Sequence, residues 1–218
     1  MTTSRTPIAR PSLSLADDPH RGRFSDRLTQ RSSSSFLTAA GLLAATGALL
    51  ATEDRTGITL FPVALTTLAL GATALAAGLV GLTAFRRRHQ LRGGRAAMAF
   101  AGIAAASGVV LVVLVLVGIA TGGLTGDAPA IVERLAAIAM LVLPASLFLG
   151  LLLTGVGAWR SGIPSRAIGR ALVAAAAPFL LPVTFAVTGF RPDEVVGLAL
   201  FAIWAATFAG IGTVLRRG

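Results

Sequence analysis

Residues 96–121 read AAMAFAGIAAASGVVLVVLVLVGIAT. The run holds no charged residue, no proline and no amide side chain; its only hydroxyls are Ser107 and Thr121. A helix of about 20 apolar residues crosses the hydrocarbon core of a bilayer. Buried strands of soluble sheets are much shorter. Porin-type strands alternate apolar and polar residues over about ten positions, and that alternation is missing here. The stretch therefore reads as a membrane-spanning helix.

Working outward, five more apolar runs appear, which gives six in all: Phe36–Thr52, Gly57–Phe85, Ala96–Thr121, Ile131–Trp159, Ala171–Phe190 and Val195–Leu215. Composition agrees with them. Of 218 residues, 55% are hydrophobic and 13% charged, and mean hydropathy is +0.81. An average soluble domain carries about 25% charged residues. A globule of this size has too much surface to cover with so few charges, which excludes an ordinary soluble domain. The predicted fold class is an all-α integral membrane protein, a six-transmembrane-helix bundle.

The run 36–52 is the shortest, and a signal peptide is its rival reading. The segment before it is about 35 residues long, more than the roughly 15–30 of a whole signal peptide. Leu49 also spoils the small-x-small pattern for a cut after Ala51. A span is the better reading. Residues 1–35 carry six arginines, three aspartates and the tract Ser32–Ser35, with no apolar run longer than two. Such a segment cannot bury enough apolar surface to fold, and it is expected to be a disordered basic tail.

Charge sets the orientation. With the tail on the inner side, sixteen arginines lie inside: six in the tail, Arg86, Arg87, Arg88, Arg92 and Arg95, then Arg160, Arg166 and Arg170, and finally Arg216 and Arg217. Arg55, Arg134 and Arg191 lie outside. Six of the nine carboxylates fall outside. An excess of this size in short loops predicts both termini in the cytoplasm of a cell with the protein in its inner or plasma membrane. Five or seven spans would put an arginine-rich loop on the wrong face. The net charge of +10 is thereby a matter of topology. No stacking aromatics interleave the arginines, so nucleic acid is not an expected partner.

All 19 basic residues are arginine, the signature of a GC-rich coding sequence. The absence of cysteine excludes disulfides, thiolate metal sites and palmitoylation. Helix starts are marked by Asp127 with Pro129 and Glu133, and by Pro192-Asp193-Glu194. Proline suits a first turn, and carboxylates favour the positive end of a helix.

The pattern A-G-x-x-A-A-[ST]-G occurs at 40–47 and again at 101–108, and the even-numbered spans end alike. Three helical hairpins, 1–2, 3–4 and 5–6, would account for both. Gly41, Ala45, Gly102 and Ala106, together with Gly71 and Gly78, are the candidate helix-packing residues. Lipid gives no hydrophobic drive between helices, so close contact through small residues holds them together. The contacts fit packing within one chain or a homo- or hetero-oligomer. Trp159 falls at the inner interface, where aromatic belt residues belong, and Trp204 falls mid-span.

The span cores contain no Asp, Glu, His, Arg, Asn or Gln when the fourth is taken from Leu135. Proton relays and ion-coupled carriers usually need ionisable groups at that depth. Glu133, one turn into the fourth helix, is the nearest. Ser146 lacks a histidine at membrane depth and a G-x-S-x-G context, and His20 and His89 have no ligand-spaced neighbours. No catalytic residue, cofactor or metal is expected, and no enzyme. Pro144, Pro178 and Pro182 each remove a backbone hydrogen bond inside a span. Ser146 and Thr184 offer hydroxyls to the freed carbonyls. A pocket, if the chain has one, belongs in spans four and five. Arg86, Arg87, Arg88, Arg92 and Arg95 are placed to contact anionic lipid headgroups.

The segment Leu151–Arg170, with Gly157, Arg160, Pro164, Arg166 and Gly169, resembles the tight arginine–proline–arginine loops of six-span membrane proteins from GC-rich prokaryotes. The resemblance implies no activity. The expected function is that of a non-enzymatic accessory or interaction subunit. A transporter or channel for a small neutral or hydrophobic solute is the alternative.

Overall fold

The computed structural model describes residues 19–88, 94–120, 130–180 and 194–217. Of these 95% are helical and none is in a strand. The helices are α1 (Pro19–Thr56), α2 (Phe61–Arg88), α3 (Gly94–Ala120), α4 (Ala130–Ser161), α5 (Arg166–Ala176) and α6 (Glu194–Arg217), with a 3₁₀ turn at Ala177–Leu180 after α5. Five helices are long and apolar enough to cross a membrane: Gln30–Thr56, Phe61–Arg86, Gly94–Gly118, Ala137–Ser161 and Val196–Arg217.

Local signals set the helix ends. Gly57 follows α1 with φ 67°, and its N–H donates to the Glu53 carbonyl at 2.8 Å. Gly162 follows α4 with φ 71° and donates to Ala158 in the same way. Both are left-handed caps, which a glycine adopts without a Cβ clash. Gly57 thus closes α1, and the second apolar helix starts at Phe61 with Pro62 in its first turn. Ser165 caps α5, its hydroxyl accepting from the Ala167 N–H.

Successive long helices run antiparallel. Gly78 lies against Phe36 and Gly71 against Leu42, while Gly108 lies against Ala69 and Thr73. α2 and α4 therefore run parallel, with Gly150 beside Leu79 and Gly157 beside Arg86. α6 returns along α1, bringing Gly47 to Phe201 and Gly212 to Ser33 and Leu37. α2 is central, with Leu75, Leu79 and Leu82 at most 1% exposed. Phe36 stacks on Phe208 between α1 and α6, and Phe179 stacks on Trp204 with centroids 4.4 Å apart. In this register Arg31, Arg86, Arg95, Arg160, Arg166, Arg216 and Arg217 gather at one end of the bundle, and Glu53, Asp54, Arg55 and Arg134 at the other.

Three expectations change. First, the expected tail does not reach residue 35, because α1 begins at Pro19. Ser32 and Ser33 are buried, and Ser33 donates to the Gly212 carbonyl at 2.8 Å. Ser34 and Ser35 donate back to the Arg31 carbonyl. The serine tract is thus a helical segment thin enough to let α6 approach, and the hydroxyls of Ser33, Ser34 and Ser35 are satisfied by carbonyls. Residues 1–18 lie outside the described residues. Second, within the run expected to be the fifth span, the described chain is α-helical only to Ala176 and then 3₁₀ to Leu180; the remainder, 181–190, lies outside the described residues. Third, the helices do not group as separate hairpins. α2 packs on α3, and α1 on α6, through close glycine contacts of the kind that join α1 to α2.

The two copies of A-G-x-x-A-A-[ST]-G turn alike: Ala40 and Ala101 are buried and Gly41 and Gly102 exposed. Their neighbours differ, since Gly47 meets α6 whereas Gly108 meets α2.

Candidate functional site

Of the arginines expected at headgroup level, the structure describes the side chains of Arg86 and Arg95. Arg86 turns inward and is 4% exposed. Its Nη1 donates to the Thr154 carbonyl at 3.3 Å, and its guanidinium fills the space over Gly157 that a Cβ would occupy. Its Nε and the Thr154 hydroxyl are buried without a hydrogen-bond partner. The physical reason is the glycine: α4 has no side chain at 157, so the cation of α2 lies across it, near the negative end of the α4 dipole. Arg87 and Arg88 complete α2, Arg95 is exposed in the first turn of α3, and Arg92 lies outside the described residues.

Pro144 does not break its helix, and α4 continues from Ala130 to Ser161. Ser146 is buried, but its hydroxyl donates to Val142 at 2.6 Å and Leu143 at 3.1 Å. It therefore does not serve the Met140 carbonyl that Pro144 leaves free. Pro178 sits in the 3₁₀ turn, where the α ladder has already ended at Ala176. Pro182 and Thr184 lie outside the described residues.

The expected packing residues divide. Gly71 and Gly78 pack as described above. Gly41, Ala45, Gly102 and Ala106 are exposed, and a Cβ on Gly41 or Gly102 would meet nothing within 4 Å. Among the described residues no helix packs closely on Gly41 or Gly102. The closest crossing is instead Gly155 with Gly169: a Cβ on Gly155 would stand 2.9 Å from the Gly169 carbonyl oxygen. The sequence signal for that crossing was the Gly155-Val-Gly-Ala-Trp159 ending of α4.

Two grooves open at the arginine-rich end. One, of about 380 Å³, is lined by Arg27, Gln30, Arg31 and Ser34 of α1. The other, of about 360 Å³, is lined by Val156, Trp159, Arg160 and Arg166. Neither includes Pro144, Ser146 or Pro178.

Among the described residues the buried polar side chains are Ser32, Ser33, Thr46, Thr83, Arg86, Ser146 and Thr154. Thr46, Thr83 and Ser146 donate to carbonyls of their own turn. Thr46 and Thr67 also pair across α1 and α2 at 2.9 Å. Each hydroxyl has one proton, so one of the two gives it to the other instead of to a carbonyl. No group of three His, Cys, Asp or Glu gathers among the described residues. Hydroxyls bonded to carbonyls hold helices together and do no acid–base work near neutral pH.

Compared with known proteins, the chain matches no family model, no curated protein and no solved structure.

Proposed function

We propose that the chain is a six-span protein of the cell membrane with both termini in the cytoplasm. In this reading it is a non-enzymatic accessory or interaction subunit that binds another transmembrane helix along α1. Five apolar helices support the membrane reading, and the run Ala171–Phe190 supplies the sixth span. The arginines gathered at one bundle end support the orientation.

One observation carries the assembly reading. The outward face of α1 is Ser34, Thr38, Gly41, Ala44, Ala45, Ala48 and Thr52. From Gln30 onward α1 contributes none of the exposed large hydrophobics, whereas α3 presents Ile103, Val109, Val110, Val113, Leu116 and Val117. A glycine inside a helix costs about 0.5–1 kcal/mol relative to alanine, and nothing among the described residues requires one at 41. A second helix at close range would, because small residues let backbones approach. The partner is a second copy or a different chain. The test is particle size by single-molecule photobleaching and native mass measurement in mild detergent. Gly41→Leu with Ala45→Leu should release the partner and leave the fold intact. An unchanged particle would overturn the reading.

A second reading has one observation in its favour. The passage from α5 to a 3₁₀ turn at Pro178 is an interruption of the kind that lines solute sites in carriers. It would make the chain a transporter or channel for a small neutral or hydrophobic solute. Solute flux into vesicles that Pro178→Ala abolishes would support it.

A further inference from the structure

We propose that the groove between the end of α4 and the start of α5 is a binding site for the headgroup of an anionic phospholipid. The site rests on the reading of the long helices as membrane spans. Its walls are ordered by depth. Val156 lies one turn inside the apolar helix, Trp159 follows at its end, 45% exposed, and Arg160 and Arg166 close the outer rim. That order matches a lipid, with acyl and glycerol parts against Val156 and the indole and a phosphate between the two guanidinium groups. Arginine donates to phosphate in a planar, two-pronged fashion.

The groove is also preformed. The Gly155–Gly169 crossing locks α5 onto α4, and the capped turns at Gly162 and Ser165 fix where Arg166 begins its helix. Arg170 lies over the Trp159 ring at 5.6 Å, which holds the indole and adds a third positive charge. No acidic residue lies between Glu133 and Asp193 in the sequence, and Glu133 belongs to the opposite end of α4. The α4–α5 turn thus brings three arginines together with no carboxylate of its own, and an anionic headgroup supplies the counter-charge the turn lacks. A soluble anion would supply the charge but would leave Val156 and the indole against water.

The test uses full-length protein in vesicles, with Trp204→Phe leaving Trp159 as the sole tryptophan and keeping a ring against Phe179. Trp159 fluorescence is quenched by lipids with brominated chains, anionic or zwitterionic, at equal mole fraction. The two rim arginines, at about 1 kcal/mol each near the surface, predict a preference for the anionic lipid of roughly thirtyfold. Arg160→Gln with Arg166→Gln should remove that share and leave only the smaller preference due to Arg170, while Arg216→Gln with Arg217→Gln, the same loss of charge outside the groove, should leave the whole preference. Equal quenching by both lipids, or an equal effect of the two double variants, would overturn the site and leave the spans standing. So would loss of the preference in millimolar inorganic phosphate, because the groove would then hold a soluble anion. No quenching by either lipid would instead overturn the membrane reading itself.

Discussion

Gly155 and Gly169 bring α4 and α5 together backbone against backbone. A Cβ on Gly169 would stand 2.7 Å from the Trp159 Cα and 2.8 Å from the Gly155 carbonyl oxygen. Backbone cannot turn aside as a flexible side chain can. Gly169→Ala should therefore destabilise by about 1–3 kcal/mol, the usual cost of overpacking. Gly41→Ala and Gly102→Ala meet open space and should gain about 0.5–1 kcal/mol in an isolated chain. Denaturant titration in mixed micelles measures all three, and a loss at Gly102 as large as that at Gly169 would contradict the helix facing described above.

Arg86 is buried with a single 3.3 Å bond and an unpartnered Nε. A buried charge held this weakly contributes little net stability, and an apolar side chain of similar length is an adequate substitute. Arg86→Met should stay within about 1 kcal/mol of wild type. Arg86→Ala should lose about 2 kcal/mol or more, because it leaves a cavity over Gly157. Equal and large losses in both variants would mean that the charge itself holds α2 to α4.

The hydroxyl pair of Thr46 and Thr67 joins α1 to α2. Hydrogen bonds between spans contribute about 0.6 kcal/mol on average. Thr46→Val and Thr67→Val should each lose about that much, and the double variant little more than either alone, since they share one bond. A fully additive double variant would show that the two hydroxyls act separately.

The membrane-helix class was legible because length and apolarity are properties of a run and need no neighbour. Which face of a helix turns inward was not legible. Gly41 and Gly102 looked like packing residues by their spacing of four to Ala45 and Ala106, yet both face out, whereas Gly71 and Gly78, seven apart, face in. In an Ala/Gly/Leu-rich chain all faces are nearly equally apolar, so periodicity carries no direction. The inward turn of Arg86 was hidden for a related reason. It depends on the missing side chain of Gly157, 71 positions away, which no local pattern records. The serine tract misled by composition: four serines read as part of a disordered tail, but Ser34 and Ser35 bond back to the Arg31 carbonyl and Ser33 across to Gly212, in a helix that another helix can touch closely.

Topology has a direct check. The proposed six-span topology has Thr125 outside and the C-terminus inside. Reporter fusions at Thr125 and after Gly218 should therefore report opposite sides. The same side for both would defeat the six-span proposal.

The same topology leaves Glu133 at a helix start, outside the apolar window that opens at Ala137. Reconstituted protein should show no proton flux linked to a solute gradient. Solute-dependent acidification that disappears in Glu133→Gln would place that carboxylate in a working carrier.

The central claim is that α1 presents its small-residue face to another helix. The chain has no cysteine, so a single Ala45→Cys can carry a photo-cross-linker without background, with Val113→Cys on the outward face of α3 as the reference. Irradiation in native membranes should give a protein adduct of one defined mass at position 45 and lipid adducts alone at position 113. Lipid adducts alone at both positions would contradict the claim.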